Sequence, residues 1–108
     1  MRANLKITYN HYRALPETGP RYQLIDGELF MSPAPNLRHQ VLLGRLYLAL
    51  GSFVEKHELG AVVLSPLDVI LSQVDVLQPD LVFVSNARKT ILVPKGVRGA
   101  PDLCAEIL

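Results

Sequence analysis

The sequence predicts an α/β or α+β domain in which a mixed sheet is flanked by helices. Three observations lead there. Two short β-prone runs, RYQLI and ELFMS, enclose Asp26-Gly27, a strong tight-turn signal. The stretch from Leu37 to Leu59 carries apolar residues at helical spacing. Four short apolar runs follow, Ala61 to Leu64, Leu67 to Ser72, Val76 to Val84 and Leu103 to Leu108, separated by polar, Pro- or Gly-containing links. Strands interleaved with helices belong to the mixed layer architectures.

In chain order, Ile7 to Leu15 is a short helix candidate capped by Thr8 and ended by Pro16 and the PETGP run. Arg21 to Ser32 is the hairpin, with Glu28 opening its second strand; on pattern alone that acid reads as a solvated strand end. Asn36 can cap the long helix. The helix puts Leu42, Leu46, Ala49 or Leu50, and Phe53 on one face, and Gly60 is placed to stop it. His39 near its start is open to a ligand, base or phosphate-contact role, against the plainer reading of a half-exposed surface histidine. His57 near its end suits the helix dipole.

The later runs read as strands. Ser65-Pro66 breaks the first pair, and Asp68 stands at the start of the second strand as an edge acid or a weak site candidate. In Val76 to Val84, alternation puts Gln78 and Asp80 on one face. Pro79 cannot donate to a ladder, so an edge or a bulge belongs there. Ser85 or Asn86 caps a short helix through about Ile91, and a Gly/Pro loop leads to Leu103.

The chain has 108 residues, 49% of them hydrophobic and 19% charged, with a net charge of +1. That is one small domain over residues 1–108, with apolar content for a core and no whole-protein electrostatic case for nucleic acid. Cys104 is the single cysteine, which excludes an internal disulfide and fits a reducing cytoplasm; in its apolar run it reads as a small core residue. No apolar run approaches the roughly 18 residues of a membrane span, and MRANLKITYN has no signal-peptide core. The expectation is a cytoplasmic protein with no membrane partner.

The chemistry-bearing feature is a pair of acids in apolar strands, Asp80 in QPDLVFV and Glu106 in LCAEIL. A buried carboxylate is costly unless paired or metal-bound. The 26 residues between them (106 − 80) allow neighbouring strands joined by a helix-containing connection. With acid faces matched, the carboxylates lie side by side, one pKa rises, and a hard cation such as magnesium or manganese relieves the repulsion. The scheme requires both carboxyls on one side of the sheet. His11, His39 and His57 are too dispersed for a local zinc motif, and no Gly-rich phosphate loop or nucleophile elbow is present.

The ordered series YQLIDGELFMSPAPNLRHQVLLGRL, LSPLDVIL, VLQPDLVFVS and GAPDLCAEIL resembles the Uma-two family of restriction endonucleases, a branch of the PD-(D/E)XK nuclease superfamily. The resemblance spans nearly the whole chain from Thr8. It implies a restriction-endonuclease-like core, a Mg2+ or Mn2+ site, and hydrolysis of phosphodiester bonds in DNA. On it, Asp80 matches the first acid and Glu106 the second, both metal ligands, and Ile107 lends its backbone carbonyl to the metal. Glu28 and His39 match polar positions that line the site, with Gln78 a weaker candidate. The superfamily lysine would stand at position 108, which is Leu108 here, and in this branch it looks relocated to a later helix. The expectation is therefore the N-terminal part of the family domain, incomplete at its C-terminus. Two alternatives follow. One is an inactive remnant that self-associates through an exposed C-terminal strand. The other is a nucleic-acid-binding module using Arg38, Arg45, Arg88 and Lys89.

Overall fold

A computed structural model describes residues 6–16 and 21–108. Its elements, in order, are α1 (Tyr9–Tyr12), β1 (Arg21–Ile25), β2 (Glu28–Ser32), α2 (Leu37–Lys56), β3 (Gly60–Leu64), β4 (Asp68–Ser72), β5 (Asp75–Leu77) and β6 (Leu81–Ser85). A 3-10 helix (Asn86–Ile91), β7 (Leu92–Val93), β8 (Gly96–Val97) and β9 (Leu103–Ala105) complete the chain. This is the α+β class, with the strands divided between two sheets. A six-stranded sheet runs β2-β1-β5-β4-β8-β7, and a three-stranded sheet runs β3-β6-β9. The first sheet is mixed because β4 and β8 are parallel; the second is antiparallel throughout.

The hairpin forms where the turn chemistry places it. Asp26 and Gly27 both have positive φ, 49° and 75°, as a two-residue loop matched to strand twist requires. Helix α1 is shorter than its apolar spacing suggests, and the PETGP run beyond Pro16 lies outside the described residues.

Helix α2 starts as expected, with the Asn36 side chain accepting from the His39 backbone N–H at 2.9 Å. It ends earlier, at Lys56, because Glu58 takes the left-handed conformation (φ 52°) expected of a terminating glycine. Gly60 instead opens β3, where its backbone lies so close to the Val84 carbonyl that a Cβ would overlap it. A left-handed glutamate carries a steric cost that glycine lacks. Glu58→Gly should therefore raise stability by about 0.5–1 kcal/mol in a denaturant melt; a loss of stability would show that the Glu58 side chain matters here.

The apolar face of α2 differs from the expected one. Leu43 and Val54 are its buried residues, whereas Leu42 and Phe53 are exposed. Apolar residues occur nearly all round this helix, so several faces satisfy the spacing, and contact with β3 selects one of them.

The run from Val76 to Val84 is two strands in different sheets. Gln78, Pro79 and Asp80 form the break, and the prolyl nitrogen has no hydrogen to continue a ladder. The core has two parts. Tyr9, Tyr12, Leu24, Ile70 and Val76 pack α1 on one face of the large sheet. Val69 and Val97 from that sheet meet Val82 and Val84 from the small one. The alternating neighbours Val69 and Ile70 thus serve opposite faces, which is why both are buried. Crossing from one sheet to the other sets Asp80 at their junction.

Candidate functional site

Asp80 is the buried charged residue among those described, with 0% of its surface exposed. It precedes β6, whose ladder with β9 pairs Leu81 with Ala105, Val82 with Cys104 and Phe83 with Leu103. Continued by one step, that register sets Asp80 opposite Glu106. The structure therefore brings the two sequence-singled acids to the same end of one antiparallel pair. The Ile107 backbone N–H closes the end, donating to Asp80 Oδ2 at 2.7 Å.

The other partners of Asp80 come from distant chain. Arg21 Nη1, at the start of β1, donates to Oδ1 at 2.9 Å. His39 Nε2, in the first turn of α2, lies 3.1 Å from Oδ2. Burial alone would push the Asp80 carboxyl up, but the Ile107 N–H, Arg21 and His39 together outweigh it and hold the group below the ordinary carboxylate value. Glu106 behaves in the opposite sense. Partial desolvation, then the charge of Asp80, raises its carboxyl above the usual value, while Arg21 and His39 pull it back. The charge of Asp80 thus works against ionisation of Glu106.

Beside them opens a cavity of about 540 Å³. Arg21, Arg38 and His39 line it together with Asn36, Ile107 and Leu108. Arg21 and Arg38 make this wall positive.

The remaining candidates separate from this cluster. Glu28 is exposed and pairs with Ile25 beside the hairpin turn, the opposite end of the hairpin from Arg21. Four residues of strand put it roughly 13 Å along from Arg21, and the structure does not bring it to the acids. Gln78 does not share a strand face with Asp80, because the chain breaks between them. Its amide donates to Asp68 Oδ1 at 3.0 Å and its backbone N–H to Gln23 Oε1 at 2.9 Å. Asp68 also accepts from the Tyr12 hydroxyl at 3.0 Å, which makes it a structural acceptor linking α1 to β4. Cys104 is not a core residue: it is exposed on the edge strand β9. Desolvation, then Glu106, raises its thiol, which disfavours a reactive thiolate. Arg88 is occupied by Asp102 at 3.3 Å and by the Ala100 carbonyl.

Arg21 is the site residue that sequence reasoning missed. Its only signal is indirect: a buried carboxylate demands a cation, but nothing local says which one. The partner lies 59 residues away.

Two carboxylates are too few to cage a metal by themselves, and the described residues contain no group of three or more His, Cys, Asp or Glu positioned to hold one. The donor set fits a hard cation that takes one or two carboxylates and leaves its other positions to water and substrate oxygens, the habit of magnesium.

The acids also set an acid-stability profile. Asp75 is held low by the Asp26 N–H and the Ser72 hydroxyl, and Asp102 by the Ser85 N–H. With Asp80, these are carboxyls whose folded pKa lies below the unfolded value. Their stabilisation is present at neutral pH and is lost as pH falls below about 3.9 towards the folded values. Glu106 has the reverse sign, because its raised pKa favours the folded state on protonation. The melting temperature should hold from pH 7 to about 5 and drop steeply below about 4; a flat profile through that window would refute the three assignments.

Fold and site together define an α+β protein centred on an acid pair, beside a positively lined cavity. The model of the family Uma2, described as "Putative restriction endonuclease", matches residues 9–108. The chain belongs to this family, which at the coarse level is a family of nucleases. No curated protein matches it in sequence. No helix among the described residues is long and apolar enough to cross a membrane.

Proposed function

We propose that this chain is a Mg2+- or Mn2+-dependent endonuclease that hydrolyses phosphodiester bonds in DNA and works in the cytoplasm. The observation that carries the reading is the register of β6 on β9, which continues to set Asp80 opposite Glu106, with the Asp80 partners Arg21, His39 and Ile107 lining the adjoining cavity. Asp80 and Glu106 would hold the cation, with the Ile107 carbonyl as a further oxygen ligand. When bound, the cation lowers the pKa of a water and neutralises charge developing on the phosphate. Arg38, on the first turn of α2, offers a guanidinium to substrate phosphate oxygens. His39 keeps Asp80 oriented through its 3.1 Å contact and stands within reach of the cavity.

The test is cation binding followed with cleavage. At ten times its dissociation constant, Mn2+ should stabilise the fold by about 1.4 kcal/mol, a rise of about 5–10 °C in Tm. Supercoiled plasmid should be nicked with Mg2+ or Mn2+ and left intact in chelator. No Tm shift together with cation-independent nicking would end the proposal.

A second reading rests on β9. It is an edge strand of the small sheet, and Leu103 on it is 44% exposed. An open apolar edge can pair with another copy of the chain. In this reading the domain is a self-associating or nucleic-acid-binding module without cleavage. Sedimentation separates the two: a monomer that nicks DNA excludes it, and an inert dimer supports it.

A further inference from the structure

Asp80 is buried, and both of its carboxylate oxygens are already engaged. Arg21 takes Oδ1, and His39 and the Ile107 N–H share Oδ2. Among these partners Arg21 alone carries a fixed positive charge, since guanidinium does not deprotonate in proteins. A divalent cation brought onto this carboxylate competes with the guanidinium for the same negative charge and is repelled by it.

Arg21 is also poorly satisfied where it is. Its side chain is 22% exposed, yet its Nε is buried with no hydrogen-bond partner among the described residues. Guanidinium has five donors in a planar fork suited to two phosphate oxygens at once. A monodentate contact with Asp80 uses that fork incompletely. Position adds to this. Arg21 lines the cavity beside the acids and also a second one, of about 510 Å³, whose lining includes Arg13 and Lys95. It stands on the wall between two positively edged hollows, where a phosphate backbone running past the acids would cross.

Resting on the nuclease reading, we propose that Arg21 is the built-in counter-cation of Asp80, displaced when a divalent cation binds, and that the released guanidinium then grips a substrate phosphate. In the pairing shown, the arginine offsets the Asp80 charge. Loading it with metal exposes a phosphate donor beside the acids, so cation binding and substrate binding reinforce each other.

The experiment is calorimetric titration of Mn2+ into the parent protein, Arg21→Met and Arg21→Lys. Removing the competitor in Arg21→Met should tighten Mn2+ binding about tenfold. Arg21→Lys keeps a competing charge and should stay within about threefold of the parent. Binding of a short DNA duplex, measured against salt with Ca2+ present, should lose about one unit of slope in Arg21→Met. Equal or weaker Mn2+ binding by Arg21→Met overturns this inference and leaves the nuclease reading standing. No Mn2+ binding by any of the three proteins overturns both. Should Arg21→Met fail to fold, the parent decides: on adding Mg2+, the Arg21 Nε–H resonance should shift and exchange faster with water. An unchanged Arg21 signal while the Ile107 amide moves would refute displacement.

Discussion

Replacing Asp80 with alanine should cost the fold about 3 kcal/mol, a large share of the roughly 5–15 kcal/mol that holds a domain of this size together. The change leaves the Arg21 guanidinium without its carboxylate and the Ile107 N–H without its acceptor. Removing one partner of a buried ion pair costs more than the pair contributes, because the survivor keeps its desolvation without compensation. The low end of the usual range applies because Arg21 keeps partial contact with solvent. Asp80→Asn, which retains an acceptor for Ile107 but no charge for Arg21, should fall between alanine and the parent. Denaturant midpoints give the stabilities. Under the proposed function, both variants also lose cation-dependent nicking. An Asp80→Ala protein as stable as the parent would mean that the three contacts around this carboxylate contribute nothing net.

Glu106→Gln should do the reverse. Glu106 is exposed, and partial desolvation and then the charge of Asp80 work against its ionised form. A neutral amide removes that repulsion, so Tm should stay level or rise by up to a few degrees at pH 7. Under the proposed function, cleavage should nonetheless fall roughly 100-fold or more, since a cation held by the pair would lose one of its two carboxylates. The pairing of the two variants is informative. A stable, inactive Glu106→Gln beside an unstable, inactive Asp80→Ala separates ligation from folding. If Glu106→Gln cleaves like the parent, the second acid is only a rim charge, and the two-carboxylate scheme falls with it.

The acids were legible early because a charge inside an apolar run contradicts its surroundings, and such contradictions collect at sites. The hairpin was legible for a local reason too: Asp26-Gly27 supplies the two positive φ values its turn requires. The face of α2 was not, since nearly every face of that helix is apolar enough to be the buried one. Nor was the fate of Val76 to Val84. Pro79 signals a break in pairing but does not say whether the strand resumes in the same sheet or in another. Cys104 departs from the core position its surroundings suggest for a related cause, because an apolar run on an edge strand looks the same as one in a core.

By itself, then, the sequence determined the mixed class, the order of most elements, the two acids and the family resemblance, all of which rest on residues close together in the chain. The tertiary structure decided which groups surround those acids. Arg21 and His39 reach Asp80 from 59 and 41 residues away, across the hairpin and the first turn of α2. Glu106 meets it only because β9 pairs antiparallel with β6 in one particular register. Ion pairing depends on distance in space, and local composition carries no record of that distance until the chain has folded.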